Sequence, residues 1–248
     1  YAQTDLAYTL ALKGDFQNCW QYYESRFNVF ENLWFYKNKY NPSKKIANLD
    51  QVKPGDIVII YCEQGLGDAI QFARYIPLLI EKTQCKVILH CPDSLKSLFE
   101  NQKHLGIQEC ITHDIIFMKT EDLPEHNHHI SIMSLPLHLG GLRTMHSPYI
   151  QAQSKIELDA PGKTKIGIVW AGSPLHPHDA IRSCYAKYFK SIADLADVKL
   201  FSLQVVKSPR VHTNKPSVIV DYTEGVKDMS VIDLAEYMTD FNQTCSVL

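Results

Sequence analysis

The sequence predicts an α/β protein: parallel sheets covered by helices, preceded by a helical hairpin. Three observations predict it. Short runs of β-branched and apolar residues, "DIVII", "KVILHC" and "KIGIVW", alternate with helix-length amphipathic stretches. The run "DIVII" passes through "YCEQGLGD", a glycine-bracketed acidic turn, straight into a helix. A similar strand and glycine turn returns in "IGIVWAGSP", an internal echo of topology more than of sequence.

Residues 1–30 read as two short helices. Leu6, Leu10, Phe16, Trp20, Tyr23 and Phe27 fall at three- and four-residue spacings around the break "KGD", with Asp15 as N-cap of the second helix. This pattern resembles the last helical hairpin of a tetratricopeptide-type array, a possible surface for a protein partner. A lone hairpin cannot bury its own faces. Either it packs on the downstream chain or upstream repeats are missing, and the start at Tyr1 favours the second expectation. Residues 31–54 read as a connector ending in the turn "KPGD".

Residues 55–150 form the first α/β domain. "DIVIIYC" is a strand, and "DAIQFARYIPLLIEK" a helix with Ile70, Ala73, Ile76 or Pro77, and Ile80 on one side. Pro77 should kink or shorten that helix. "KVILHC" is a strand, "DSLKSLFENQ" a helix capped by Asp93, and "HHISIMS" a strand. Residues 151–163, polar with a Pro-Gly turn, read as a linker. Residues 164–248 begin a second α/β domain. Its strands are "KIGIVWAGS", "VKLFSLQV" and "SVIVDY", and its helices "AKYFKSIADLA" and "SVIDLAEYMTD". Those elements are few for a complete doubly wound sheet.

Composition narrows the function classes. A formal charge of −2 gives no reason to expect nucleic acid or an anionic membrane as partner. No apolar run approaches the ~20 residues of a membrane span, and the start "YAQTDLAYTL" carries no secretion signal. The seven cysteines are odd in number, scattered and without a CxxC pair, which predicts small buried thiols in a reducing, cytoplasmic compartment.

Ligands of open α/β sheets bind at the carboxyl ends of the strands, where both glycine turns fall. Gly65-Leu66-Gly67 opens like a dinucleotide fingerprint, but Ile70 stands in place of its third glycine. That disfavours a nicotinamide oxidoreductase, and without a following Lys-Ser/Thr the turn is not a P-loop. Asp68 remains, either a first-turn helix acid or a general base for a hydroxyl nucleophile. His113, His126, His128 and His129, with Asp114, Glu121, Asp122 and Glu125, lack metal-binding spacing and read as a solvated polar loop. The stretch "SPLHPHDAIRS" sets His176, His178, Asp179, Arg182 and Ser183 beside a glycine turn. It is either a surface loop or a phosphate contact.

Three segments, "CEQGLGDAIQFARYIPLL", "SLPLHLG" and "IGIVWAGSPLHPHDAIRSC" followed by "LFSLQ", resemble the tetratricopeptide-linked relatives of the heptosyltransferases, glycosyltransferase family nine. The resemblance runs in order from about residue 14 to 240. It implies two Rossmann-like domains in the GT-B arrangement. It also implies inverting, metal-independent transfer of a hexosyl or heptosyl group, without cofactor, from a nucleotide-diphosphate sugar to a glycan, lipid or protein acceptor. Asp68 matches the family's proposed general base, beside Gln64, Gly65 and Gly67 on the acceptor side. Gly172, Ser173, Arg182, Ser183 and Gln204 fall on the donor side, where the helix N-terminus after Gly172 and Arg182 would meet the departing diphosphate. The ending "DFNQTCSVL" stands where the relatives continue into their donor-binding turn. The expectation is therefore a truncated second domain, with an exposed apolar face and no transfer by this chain alone. The competing expectation is a non-catalytic interaction scaffold.

Overall fold

The computed structural model describes residues 1–29, 39–113, 122–141, 148–173, 179–205, 210–212 and 215–248. The chain divides into two units, Tyr1–Gln151 and Ala152–Leu248.

The first unit opens with helices α1 (Ala2–Leu12) and α2 (Phe16–Tyr23). Asp15 caps α2, its carboxylate accepting the Asn18 N–H at 3.2 Å. The buried face of α1 is small, Thr4 and Ala7, while Leu6 and Leu12 are 40% and 90% exposed. The large apolar residues expected to face inward therefore do not all do so. Helix α2 instead packs onto the sheet domain: the Trp20 ring stands edge-on to Phe72 with centroids 5.6 Å apart. The hairpin is thus seated on the downstream chain. A 3-10 turn, Glu24–Asn28, continues α2.

The sheet of this unit joins β1 (Ile57–Tyr61), β2 (Lys86–Pro92), β3 (Ile107–His113) and β4 (His128–Ser131), all parallel, in the order β3-β2-β1-β4. Strand β3 was not legible in the sequence. Between β1 and β2 run α3 (Leu66–Phe72), a 3-10 turn over Ala73–Tyr75, and α4 (Ile76–Thr83). The predicted single helix breaks because Pro77 supplies no N–H and its ring crowds the carbonyl four residues back, at Ala73. Its buried stripe is Ala69, Phe72, Ala73, Ile76, Leu79 and Thr83, with Ile70 and Ile80 only half-buried. Next come α5 (Lys96–Glu100) after a 3-10 turn, and α6 (Leu135–Leu139) beyond β4. Asp93 lies inside that 3-10 turn and Pro92 holds the cap position, so Asp93 is not the cap. Strand order reverses at β1: the chain runs outward through β2 and β3, then returns to β4 on its other side. Ile59, Tyr61, Ile88 and Ile111 form one buried face beneath Tyr40.

The second unit contains β5 (Thr164–Ile168), α7 (Asp179–Arg182), α8 (Lys190–Ala193), β6 (Val198–Ser202), β7 (Arg210–His212), β8 (Lys215–Val220), β9 (Val231–Asp233) and α9 (Phe241–Val247). Its parallel sheet is β5-β6-β9, and β7-β8 is a separate antiparallel pair. So "SVIVDY" supplies no strand to that sheet. "SVIDLAEYMTD" is not one helix: Val231 and Ile232, both β-branched, pair beside β6. The Asp233 carboxylate then accepts the Ala235 N–H at 2.9 Å and starts a 3-10 turn. Among the described residues, β6 is covered on both sides rather than left with the exposed apolar face expected here. Val198 and Leu200 join Ile168, Trp170, Ala186 and Tyr222, while Phe201 joins Ala160, Leu234, Met238 and Val247. The linker takes part, with Ile156 and Leu158 against the second cluster and the Ile156 N–H donating to the Ser246 carbonyl at 2.9 Å. All seven cysteines are free thiols. No helix among the described residues is long and apolar enough to cross a membrane.

Candidate functional site

The turn after β1 is built residue by residue. Tyr61 ends the strand, and the Cys62 N–H still donates to the His90 carbonyl at 2.8 Å. Gln64 then takes φ +64, the left-handed region that non-glycine residues enter only when held. Gly65 is the N-cap of α3 at φ −92, and its N–H donates to the Asp68 Oδ2 at 2.9 Å. A glycine has no side chain to return the bond, so only the Asp68 half of the capping arrangement exists. Gly67 lies inside the first turn of α3. A Cβ there would meet nothing within 4 Å, and its φ is not positive. The left-handed bend of this glycine-bracketed turn therefore falls on Gln64 and not on a glycine. Asp68 is half-buried at the carboxyl end of β1, the strand where order reverses.

Behind this turn lies a buried charged network. Glu63 and Arg26 are both fully buried, with Arg26 Nη2 to Glu63 Oε1 at 2.6 Å and Arg26 Nε to Oε2 at 3.1 Å. The guanidinium also donates to Ser134 Oγ at 2.9 Å and to Glu24 Oε1 at 2.8 Å. Ser131 Oγ donates to Glu63, and Ser134 Oγ to Glu24 at 2.6 Å. Burial works against the Arg26 charge, but Glu63 and Glu24 more than offset it and hold the guanidinium protonated beyond its ordinary range. Burial alone would raise Glu24; Arg26 and the Ser134 hydroxyl bring it below the usual carboxylate value. Burial pushes the Tyr23 phenol up to about 12, so it stays a hydrogen-bonding hydroxyl, accepting from Gln64 Nε2 at 2.7 Å.

The second glycine turn gathers most of its expected residues, though in a different arrangement. The Gln204 Oε1 accepts the Trp170 and Ala171 N–H groups at 3.3 and 3.0 Å. The Gly172 N–H donates to Ser183 Oγ at 3.0 Å, and that hydroxyl donates to Asp179 Oδ1 at 2.7 Å. Arg182 Nε stands 3.8 Å from Asp179 Oδ1, and its guanidinium lies where a Cβ on Gly172 would be. The backbone donors expected to meet a diphosphate are therefore already bonded to side chains. Gly172 and Ser173 are irregular, residues 174–178 lie outside the described residues, and the described part of α7 is Asp179–Arg182. Ser173 is exposed. His176 and His178 lie outside the described residues.

The histidine cluster is a solvated loop only in part: residues 122–127 are irregular, with Asp122 and Glu125 exposed and His126 half-buried, while His128 opens β4. His113 and His129 close and line strands β3 and β4 and are buried, at 2% and 3% exposure. Asp114 and Glu121 lie outside the described residues. Among the described residues no group of three or more His, Cys, Asp or Glu is placed to hold a metal. His90, unnoticed in the sequence, is fully buried, hydrogen-bonded through Nδ1 to the Tyr40 hydroxyl and edge-on to His113. Burial, then His113, lowers its pKa to about 3; burial lowers that of His129 to about 4.

Sequence reasoning also missed Arg26, Glu63, Ser131 and Ser134. One signal was available: Arg26 sits three residues after Tyr23, on the apolar stripe of its helix, where a charge needs a partner. No protein-family model, no curated protein and no solved structure matches this chain.

Proposed function

We propose that the chain is a glycosyltransferase-like protein of the GT-B arrangement. On this reading it is similar to the tetratricopeptide-linked members of glycosyltransferase family nine and transfers a sugar from a nucleotide-diphosphate donor to an acceptor hydroxyl with inversion. The observation that carries the reading is the place of Asp68. Its half-buried carboxylate stands on the turn after β1, where strand order reverses and open parallel sheets take their ligands. One oxygen, Oδ2, holds the turn through the Gly65 N–H. In the reaction the carboxylate takes the acceptor hydroxyl proton as that oxygen attacks the anomeric carbon and the nucleoside diphosphate leaves. On the same reading Arg182, its side chain 42% exposed, is the donor-side cation that the resemblance assigns to the diphosphate.

The test is Asp68→Asn, made in a form of the protein that includes a full donor-binding domain, with a panel of nucleotide-diphosphate sugars and simple glycan acceptors. Asn still accepts the Gly65 N–H, so melting should stay close to the parent while transfer falls by about 10²–10⁴-fold. Turnover at the parent rate removes Asp68 from the chemistry.

A second reading, a non-catalytic interaction scaffold, is favoured by a specific observation. The N–H groups of Trp170, Ala171 and Gly172 are bonded to Gln204 and Ser183. Nucleotide-diphosphate sugars that shift neither the melting temperature nor the amide resonances of this turn would support it.

A further inference from the structure

We infer that Tyr23 and Arg26, at the end of the helical hairpin, are positioning residues that set the geometry of the Asp68 turn. The inference rests on the proposed role of Asp68 in transfer. Each of the first two turn residues has its own anchor in the hairpin. Glu63 is gripped by Arg26 Nη2 at 2.6 Å and Nε at 3.1 Å, and Gln64 donates from Nε2 to the Tyr23 hydroxyl at 2.7 Å. The next residue, Gly65, gives its N–H to Asp68. An unbroken series of contacts therefore runs from Tyr23 through Gln64 and Gly65 to the carboxylate. Gln64 is the link under load, because its left-handed φ of +64 persists only when the surroundings impose it.

Arg26 serves the same turn from below. The crevice beyond the carboxyl ends of β1 and β4 is where a doubly wound sheet takes a ligand. Here the residues following those ends, Glu63 and Ser134, both receive the Arg26 guanidinium, and Ser131 at the end of β4 donates to Glu63. The side chain is completely buried there. It fastens the loop after β1 to the loop after β4. Neither Tyr23 nor Arg26 meets reacting atoms; both act through Gln64 and Glu63.

The experiment compares Tyr23→Phe and Arg26→Lys with the parent and with Tyr22→Phe as a neighbouring control. It reads amide hydrogen exchange at Gly65, at Asp68 and along β2, together with kcat and KM for any nucleotide-diphosphate sugar the parent uses. For Tyr23→Phe we expect Gly65 exchange to rise about tenfold while the β2 amides keep the parent rate. We expect kcat to fall with KM unchanged, and Tyr22→Phe to do neither. Arg26→Lys should accelerate exchange at the same turn; should it fail to fold, Tyr23→Phe decides alone. Parent-like exchange at Gly65 in Tyr23→Phe overturns the inference. So does accelerated exchange with unchanged kcat in an active parent. Should the parent transfer no sugar even with a full donor-binding domain, the reading of Asp68 fails, while the exchange data still decide whether the hairpin sets the turn.

Discussion

Arg26 and Glu63, 37 positions apart in the chain, form an ion pair with Nη2 2.6 Å from Oε1 and no solvent exposure on either side chain. Removing one partner strands the other charge in the interior. Arg26→Met should therefore destabilise the first unit by about 3–5 kcal/mol, and the double variant Arg26→Met/Glu63→Met by clearly less than the sum of the singles. Urea unfolding of the four proteins measures this. An Arg26→Met variant within about 1 kcal/mol of the parent would mean that water reaches the pair.

Gly67 is the opposite case, a glycine with no conformational reason to be there. It lies in the first turn of α3, and an added Cβ meets nothing within 4 Å. Gly67→Ala should stabilise by about 0.5–1 kcal/mol, because alanine has less backbone freedom to lose on folding. A fall in melting temperature in this variant would contradict the helical placement of residue 67.

These two positions show what a sequence displays and what it hides. The run "DIVII" with its glycine turn is a local pattern, so β1, the turn and the helix behind it were legible. The position of the bend was not, because glycines advertise flexibility while the left-handed φ fell on Gln64, held by a hydroxyl 41 residues upstream. Strand β3 went unread because Gln108 and Glu109 interrupt its apolar run at an exposed end. Strand β9 is three residues long, too short for a period, and the helix-like "DLAEYM" beyond it dominated the pattern. Asp68 was legible because it is local to its motif. Arg26, Glu63 and Ser134 meet only through tertiary folding, and spacing carries no trace of that.

Acid should weaken the first unit before it titrates most carboxylates. His90 and His129 are held neutral, with pKa values of about 3 and 4, chiefly by burial. The unfolded chain takes up protons at these positions near the ordinary value of about 6.5. Stability is thus fully present above about pH 6.5 and is lost as pH falls through 4 and 3, levelling off only when the folded histidines charge as well. Each pH unit that separates the folded from the unfolded value is worth about 1.4 kcal/mol. The expected result is a folding free energy that declines steadily from pH 6.5 to 4, with a shallower decline in His90→Gln. Equal slopes in the two proteins would remove His90 from the explanation.

Gln204 separates the catalytic from the structural view of the second turn. Its Oε1 occupies the Trp170 and Ala171 N–H groups, and the residue is buried. If that is a brace, Gln204→Leu leaves two donors without their acceptor and should lower the stability of the second unit by about 1–3 kcal/mol for each donor that stays buried. The same substitution frees backbone N–H groups beside Arg182, whose guanidinium lies against Gly172. A turn that meets a diphosphate would then show tighter binding of a nucleoside diphosphate, because the donors no longer have to leave Gln204 first. A turn that is only structural would lose stability and gain no affinity. Urea unfolding and calorimetric titration with a nucleoside diphosphate on parent and variant decide between the two. A variant as stable as the parent would show that Gln204 braces nothing, and the arrangement of this turn would need another cause.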